Sequence, residues 1–236
     1  MKKISTIIVI IIVAFCFYKS NAQLVKTVVS VTGEVTNVTN NKPISTNVEI
    51  LGGDGTRITK AKSNSLDGKY FVTGLTPGKT FEIRVAELDY MRQSIPLILP
   101  STDKYLEYSK DITLIPKKIG TKIQIPVKLF EANKSNLKYG ADLFLKDYVE
   151  PLKLNPTVTV KIVTFPDANG DQTKNMELTK ARAQSIKAFL ENNGIDSKRI
   201  LVDGSASTDP SFPPPTGKAS KGKRYVGTNY FVIDGI

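Results

Sequence analysis

The hydrophobic period of this chain changes near Pro116-Lys117-Lys118-Ile119-Gly120. Apolar residues that alternate before that point recur at three- and four-residue spacing after it, so the two halves cannot share one architecture. In the first half, Val28 to Val38, Asn47 to Leu51, Thr56 to Lys62, Lys69 to Val72, Thr80 to Ala86, Ile95 to Leu99 and Asp111 to Ile115 read as strands. Gly52-Gly53-Asp54-Gly55, Asp67-Gly68 and Pro77-Gly78 supply turn chemistry between them. Short β-rich runs with regular turns and no helical period predict an all-β antiparallel sandwich.

The second half opens on Ile123 to Phe130, which alternates like a strand. Leu137, Ala141, Phe144, Leu145, Tyr148 and Leu152 then mark a helix, and Thr157 to Val163 a strand with Val158, Val160 and Ile162 on one face. Met176 to Asn192 predicts the clearest helix of the chain, closed by Gly194 in a left-handed C-terminal cap. Ile200 to Val202 and Tyr230 to Ile233 complete the strands. The order βαβαββ predicts an α/β sandwich with helices on one face of a mixed sheet.

Composition removes whole classes of chemistry. The 236 residues contain no histidine and one cysteine, which excludes Ser-His-Asp and Cys-His catalysis, histidine-ligated metals, cysteine clusters and an intrachain disulfide. No nucleophile–base pair is visible, so no enzyme, cofactor or metal site is expected. The net charge is +11. Lysine and arginine are dispersed, and nowhere do five stand together, so the charge reads as a solvated basic face or as affinity for an anionic envelope polymer. Nucleic acid is not an expected partner.

Residues 1–22 read as a secretory signal. Lys2 and Lys3 precede a mostly apolar stretch from Ile4 to Phe17, and Ser20-Asn21-Ala22 offers small residues for cleavage before Gln23. The apolar stretch is shorter than the ~20 residues that span a bilayer, which favours cleavage over an anchor. Phe15 before Cys16 argues against lipidation. Cleavage leaves no cysteine, so the mature chain must be held by its core.

Two resemblances follow from the motifs. Gly33-Glu34-Val35, Lys42-Pro43-Ile44, Asp67-Gly68-Lys69-Tyr70-Phe71, Gly74-Leu75-Thr76-Pro77-Gly78 and Asp89-Tyr90 resemble the carboxypeptidase regulatory-like domain, a transthyretin-like sandwich, here over residues 24–116. Such modules imply a spacer or stalk, with another envelope protein as its candidate partner. Asn175-x-x-Leu178-Thr179-x-x-Arg182-Ala183-x-x-Ile186, together with Phe130-Glu131-Ala132-Asn133, Asp167-Ala168-Asn169-Gly170, Gly194-Ile195, Arg199-Ile200 and Gly204, resembles the OmpA-like peptidoglycan-binding domain, here over residues 120–236.

That second resemblance implies a location in the Gram-negative periplasm, at the outer membrane and cell wall. The implied ligand is the diaminopimelate of the peptidoglycan stem peptide, with an ammonium and a carboxylate on one carbon. By resemblance Asp167 accepts from the ammonium, Arg182 holds the carboxylate as a bidentate fork, and Asn133, Asn169 and Gly170 add hydrogen bonds. The alternative is that Asp167 and Arg182 pair only with each other. The family's Gly-Arg-x-x-Asn-Arg-Arg departs here: Gly222-Lys223 fits its start, Val226-Gly227-Thr228 stands at its end, and Arg224 substitutes only if the register slips. A second reading therefore stays open, a scaffold component of an envelope machine whose module no longer binds peptidoglycan.

Overall fold

The computed structural model describes residues 27–125, 128–216 and 224–236; the signal reading at residues 1–22 lies outside them. The first half holds β1 (Val29–Asn37), β2 (Asn47–Leu51), β3 (Arg57–Lys62), β4 (Lys69–Leu75), β5 (Thr80–Val85), β6 (Gln93–Ile98), β7 (Leu106–Ser109) and β8 (Ile112–Leu114). One sheet runs β3-β2-β5-β6, all antiparallel. The other places β4 antiparallel on one side of β1 and β7, then β8, parallel on the other. Alternate residues of both sheets meet in one core: Val31, Val35, Val72 and Ile112 from one, Val48, Ile50, Ile83 and Val85 from the other.

Strand β7 was not predicted. Its four residues alternate only between exposed and half-buried, so its apolar signal is weak, and it exists because β1 offers it an edge. Between β7 and β8 the chain bends toward β1, where the Lys110 amide donates to the Thr32 carbonyl at 2.8 Å. Gly33 permits that approach, since a Cβ there would lie 2.1 Å from the Lys110 carbonyl oxygen.

The second half holds β9 (Lys122–Gln124), α1 (Ala141–Leu154), β10 (Thr159–Thr164), α2 (Gln172–Asn192), β11 (Ile200–Gly204) and β12 (Asn229–Gly235). The order is the predicted βαβαββ. Its mixed sheet runs β11-β10-β12-β9, with β10 and β11 parallel. Leu145, Val149 and Leu152 of α1 and Ala183, Ile186 and Leu190 of α2 pack on Val160, Ile162, Phe231 and Ile233 of the sheet.

Three boundaries of this half differ from expectation by four residues or more. The strand expected through Phe130 ends at Gln124, and Leu129 and Phe130 are buried in a loop instead. Helix α1 starts at Ala141 because Gly140 before it is left-handed, with φ of 80°. Helix α2 starts four residues before Met176, since the Asp171 side chain caps it by accepting from the amides of Thr173 and Lys174 at 3.0 and 3.2 Å. That polar first turn carries no apolar period, and the cap replaces it.

The halves touch through more than the linker. Met91 and Ile115 are buried in the second core. Asn155, at the end of α1, donates to the Arg92 carbonyl at 3.0 Å and accepts from the Arg92 amide at 3.1 Å. Among the described residues, no helix is long and apolar enough to cross a membrane.

Candidate functional site

The site is built where β10 ends. Thr164 closes that strand, and its hydroxyl donates to the Thr179 carbonyl at 2.6 Å, drawing α2 against the sheet. Gly204 allows that closeness, because a Cβ there would lie 2.5 Å from Thr179 Oγ1. Asp167 is the third residue beyond the strand, and α2 points Arg182 toward it.

Arg182 is fully buried. Its Nη1 donates to Asp167 Oδ1 at 2.6 Å and its Nη2 to Asp167 Oδ2 at 2.9 Å, a bidentate pair. Nε donates to the Lys134 carbonyl at 2.9 Å, and Nη2 also to the Glu131 carbonyl at 3.2 Å. The guanidinium carbon lies 5.2 Å from the centre of the Phe130 ring, which gives the buried Phe130 a cation–π role. Four of the five guanidinium N–H groups are thus engaged.

Asp167 also accepts from the Asn133 amide at 2.7 Å and the Gly227 amide at 2.8 Å, which fills the four acceptor directions of a carboxylate. Burial alone would raise this carboxyl, but the hydrogen bonds from Arg182, Asn133 and Gly227 outweigh it and hold it below the usual carboxylate value. Asn133 reaches the position in a left-handed conformation, with φ of 59°, a backbone state that asparagine tolerates. Gly227 is there by necessity. A Cβ at 227 would lie 1.9 Å from the Phe165 carbonyl oxygen, so no side chain fits at the middle of the three positions where the family resemblance led one to look for Asn-Arg-Arg.

Of the six candidate residues, the structure brings Asp167, Arg182 and the Asn133 backbone into direct contact. Asn169 and Gly170 are exposed on the loop that follows Asp167. Asn169 Oδ1 accepts from the amide and hydroxyl of Thr208, at 3.0 and 3.1 Å, and so pins this loop to the one after β11. Arg224 is exposed and outside the cluster. Its carbonyl accepts from Lys128 Nζ at 2.9 Å, and its side chain makes no hydrogen bond or ion pair among the described residues.

A second buried carboxylate was missed. Asp209 accepts from Thr228 Oγ1 at 2.6 Å, from the Ser211 amide at 2.9 Å and from the Tyr230 hydroxyl. Burial opposes its ionisation, but these donors and Lys122 bring its pKa below the usual value. Lys122 sits 3.8 Å over the Tyr230 ring. The network anchors the loop after β11 to β12, one residue from Gly227. Only Asp209 before the proline-rich stretch hinted at it, and no spacing connects it to residues 228–230. Among the described residues, no three acidic or cysteine side chains cluster closely enough to hold a metal.

Residues 129–224 match the model of the OmpA family. The chain is 30% identical over 95 residues to the photosystem I P700 chlorophyll a apoprotein A2 of Gloeobacter violaceus, covering 40% of this chain and 11% of that protein. It is also 30% identical over 97 residues to outer membrane protein A of Bordetella avium, covering 41% and 50%. It thus spans between about a tenth and a half of the length of these curated relatives. The solved peptidoglycan-associated lipoprotein of Burkholderia pseudomallei aligns at 17% identity and a TM-score of 0.36, over 44% of this chain and 86% of that one. The second half of the chain is an OmpA-like domain, and β9 and β12, which complete its sheet, lie outside the matched segment.

Proposed function

We propose that the chain is an exported, non-enzymatic protein of the Gram-negative envelope, and that its OmpA-like half grips peptidoglycan through the diaminopimelate of the stem peptide. One observation carries this reading. Three segments, at residues 131–134, 167–170 and 226–228, converge on a buried Asp167–Arg182 pair, beneath an exposed rim bearing Asn133, Asn169 and Gly170. An amino-acid zwitterion offers the same two charges that the pair already satisfies. It enters by exchange: its carboxylate takes the Arg182 N–H groups, and its ammonium takes the Asp167 oxygens they release. Arg224, exposed and three residues before Gly227, is left to meet the rest of the stem peptide. The match of residues 129–224 to the OmpA family, the outer-membrane name of the Bordetella relative and the leader-like residues 1–22 support the envelope placement.

The boundaries 24–116 and 120–236 divide the chain into a carboxypeptidase regulatory-like stalk and this binding module, with another envelope protein as the stalk's partner. A second reading is favoured by the saturated acceptors of Asp167 and the side-chain-free position at Gly227. In it, the module is a docking surface that binds no peptidoglycan. Co-sedimentation of the mature protein with purified sacculi separates the two. Binding should survive high salt and be displaced by a diaminopimelate tripeptide but not by its lysine counterpart, which lacks the second carboxylate. Sedimentation that disappears with salt and ignores both peptides establishes unspecific adhesion of a basic protein and leaves the docking reading.

A further inference from the structure

An open cleft of about 950 Å³ runs between the sandwich and α1, toward the upper end of the roughly 300–1,000 Å³ of small-ligand pockets. One wall presents Phe81, Ile95 and Pro96 from β5 and β6, and the other presents Tyr148 and Pro151 from α1. Neither Asp167 nor Arg182 lines it.

The charge of this cleft runs against that of the chain. The sequence has 33 lysines and arginines against 22 acidic residues, yet Glu82, Asp111, Asp147 and Glu150 line the cleft, with Lys146 as the only cation among the described residues. Lys146 leans toward Asp142, 3.8 Å away. Asp147 and Glu150 are three residues apart on α1, hence on one side of it, and neither has an ion-pair partner among the described residues. Asp111 spends one oxygen on the Glu34 amide at 3.0 Å, and Glu82 faces Arg84 at 3.0 Å. Burial first, and the Asp147 charge second, push the Tyr148 hydroxyl up to about 12, so it remains a donor.

Gln93 is an independent sign of a ligand. It is 6% exposed and lines the cleft, and its side-chain amide has no hydrogen-bond partner among the described residues. Among the described residues Asn229 Oδ1, away from the cleft, is the one fully enclosed side-chain atom without a partner, so the Gln93 amide opens into the cleft. The Gln93 amide is thus open to whatever fills the cleft, and its donors and acceptor are matched by a peptide group. Strand β6 is also the outer strand of its sheet; Pro96 has no amide to offer there, so an extended chain can add only beside residues 93–95.

We propose that this cleft docks a short extended peptide segment carrying lysine or arginine between apolar residues. Its backbone meets Gln93 and the β6 edge, its apolar side chains meet Phe81, Ile95 and Tyr148, and its cations meet Asp147 and Glu150. The site is independent of the peptidoglycan reading.

The test uses the full mature chain and a fluorescent Val-Lys-Val-Lys-Val peptide, read by anisotropy. A peptide with glutamate for lysine is the control, and free spermine is the competitor. The lysine peptide should bind saturably and the glutamate peptide should not. The double variant D147N/E150Q should weaken binding about tenfold or more, the scale of a lost charge-assisted contact, and Q93L should weaken it too. Both variants should keep the wild-type unfolding temperature and sacculus binding. If Q93L shifts the unfolding temperature, D147N/E150Q at exposed positions decides the matter. Equal binding of the two peptides, or undiminished binding by D147N/E150Q, overturns the proposal. Spermine displacing the peptide with comparable affinity overturns the peptide assignment in favour of a small cation.

Discussion

The two halves differ most in what they bury besides hydrocarbon. In the sandwich the buried polar side chains, Ser30, Thr46, Ser63 and Gln93, are all neutral. Ser63 donates to the Ile44 carbonyl at 2.6 Å and accepts from the Thr46 amide at 2.8 Å, and Ser30 donates to Thr73 Oγ1 at 2.8 Å. Its ion pairs, such as Arg84 with Glu82, sit on the surface. The OmpA-like half instead folds around a buried guanidinium and two carboxylates, Arg182, Asp167 and Asp209. Hydrocarbon packing and neutral hydrogen bonds hold the sandwich together. A half that gathers three loops over charged groups draws its stability from the same residues that are proposed to meet the ligand.

The largest effect expected from this difference is that of Arg182→Ala. It leaves Asp167 without its main partner in a nearly enclosed site, and loss of one member of a buried pair costs about 3–5 kcal/mol. Arg84→Ala in the sandwich removes an exposed pair and should cost at most about 1 kcal/mol. Urea unfolding of both variants checks the contrast, and equal losses would erase it. A binding defect in Arg182→Ala must therefore be read beside its stability.

Next comes Asp209→Ala, which strands the Tyr230 and Thr228 hydroxyls and should cost about 1–3 kcal/mol. Hydrogen exchange should then show earlier opening at residues 205–216 and 228–230, with the sandwich unchanged.

Acid should also separate the halves. Asp167 and Asp209 both titrate below the usual carboxylate value when folded. Their contribution is complete above the unfolded value of about 3.9 and is withdrawn as pH falls through the lowered folded values. Amide exchange measured through that range should show the OmpA-like half losing protection before the sandwich core.

The smallest effect sharpens the boundary between the halves. Asn155→Ala removes both hydrogen bonds to the Arg92 backbone and should cost about 1 kcal/mol, leaving each half folded and their unfolding transitions further apart. A single unchanged transition would deny the clasp any coupling role.

Much of this molecule was legible from side-chain periods. Alternation placed seven of the sandwich strands, helical spacing placed α1 and α2, and Gly194, with φ of 90°, caps α2 as its position implied. Asp167 and Arg182 were recognisable because a motif on a helix and a motif after a strand carry them. What escaped depends on approach between distant segments. Strand β7 needs the edge of β1, Asp209 needs Tyr230, and Gly227 is dictated by the Phe165 carbonyl. For Arg182 the sequence offered two partners, a ligand carboxylate or Asp167; the structure shows the pair with Asp167 and adds the backbone carbonyls of Glu131 and Lys134, which no spacing announces.

The most direct test is an amide-resolved NMR titration of residues 23–236 with a diaminopimelate tripeptide. The account predicts saturable shifts at Asn133, Asp167–Gly170 and Gly227, with sandwich amides still and no response to the lysine tripeptide. Shifts absent at these amides, or the same with both peptides, would contradict it.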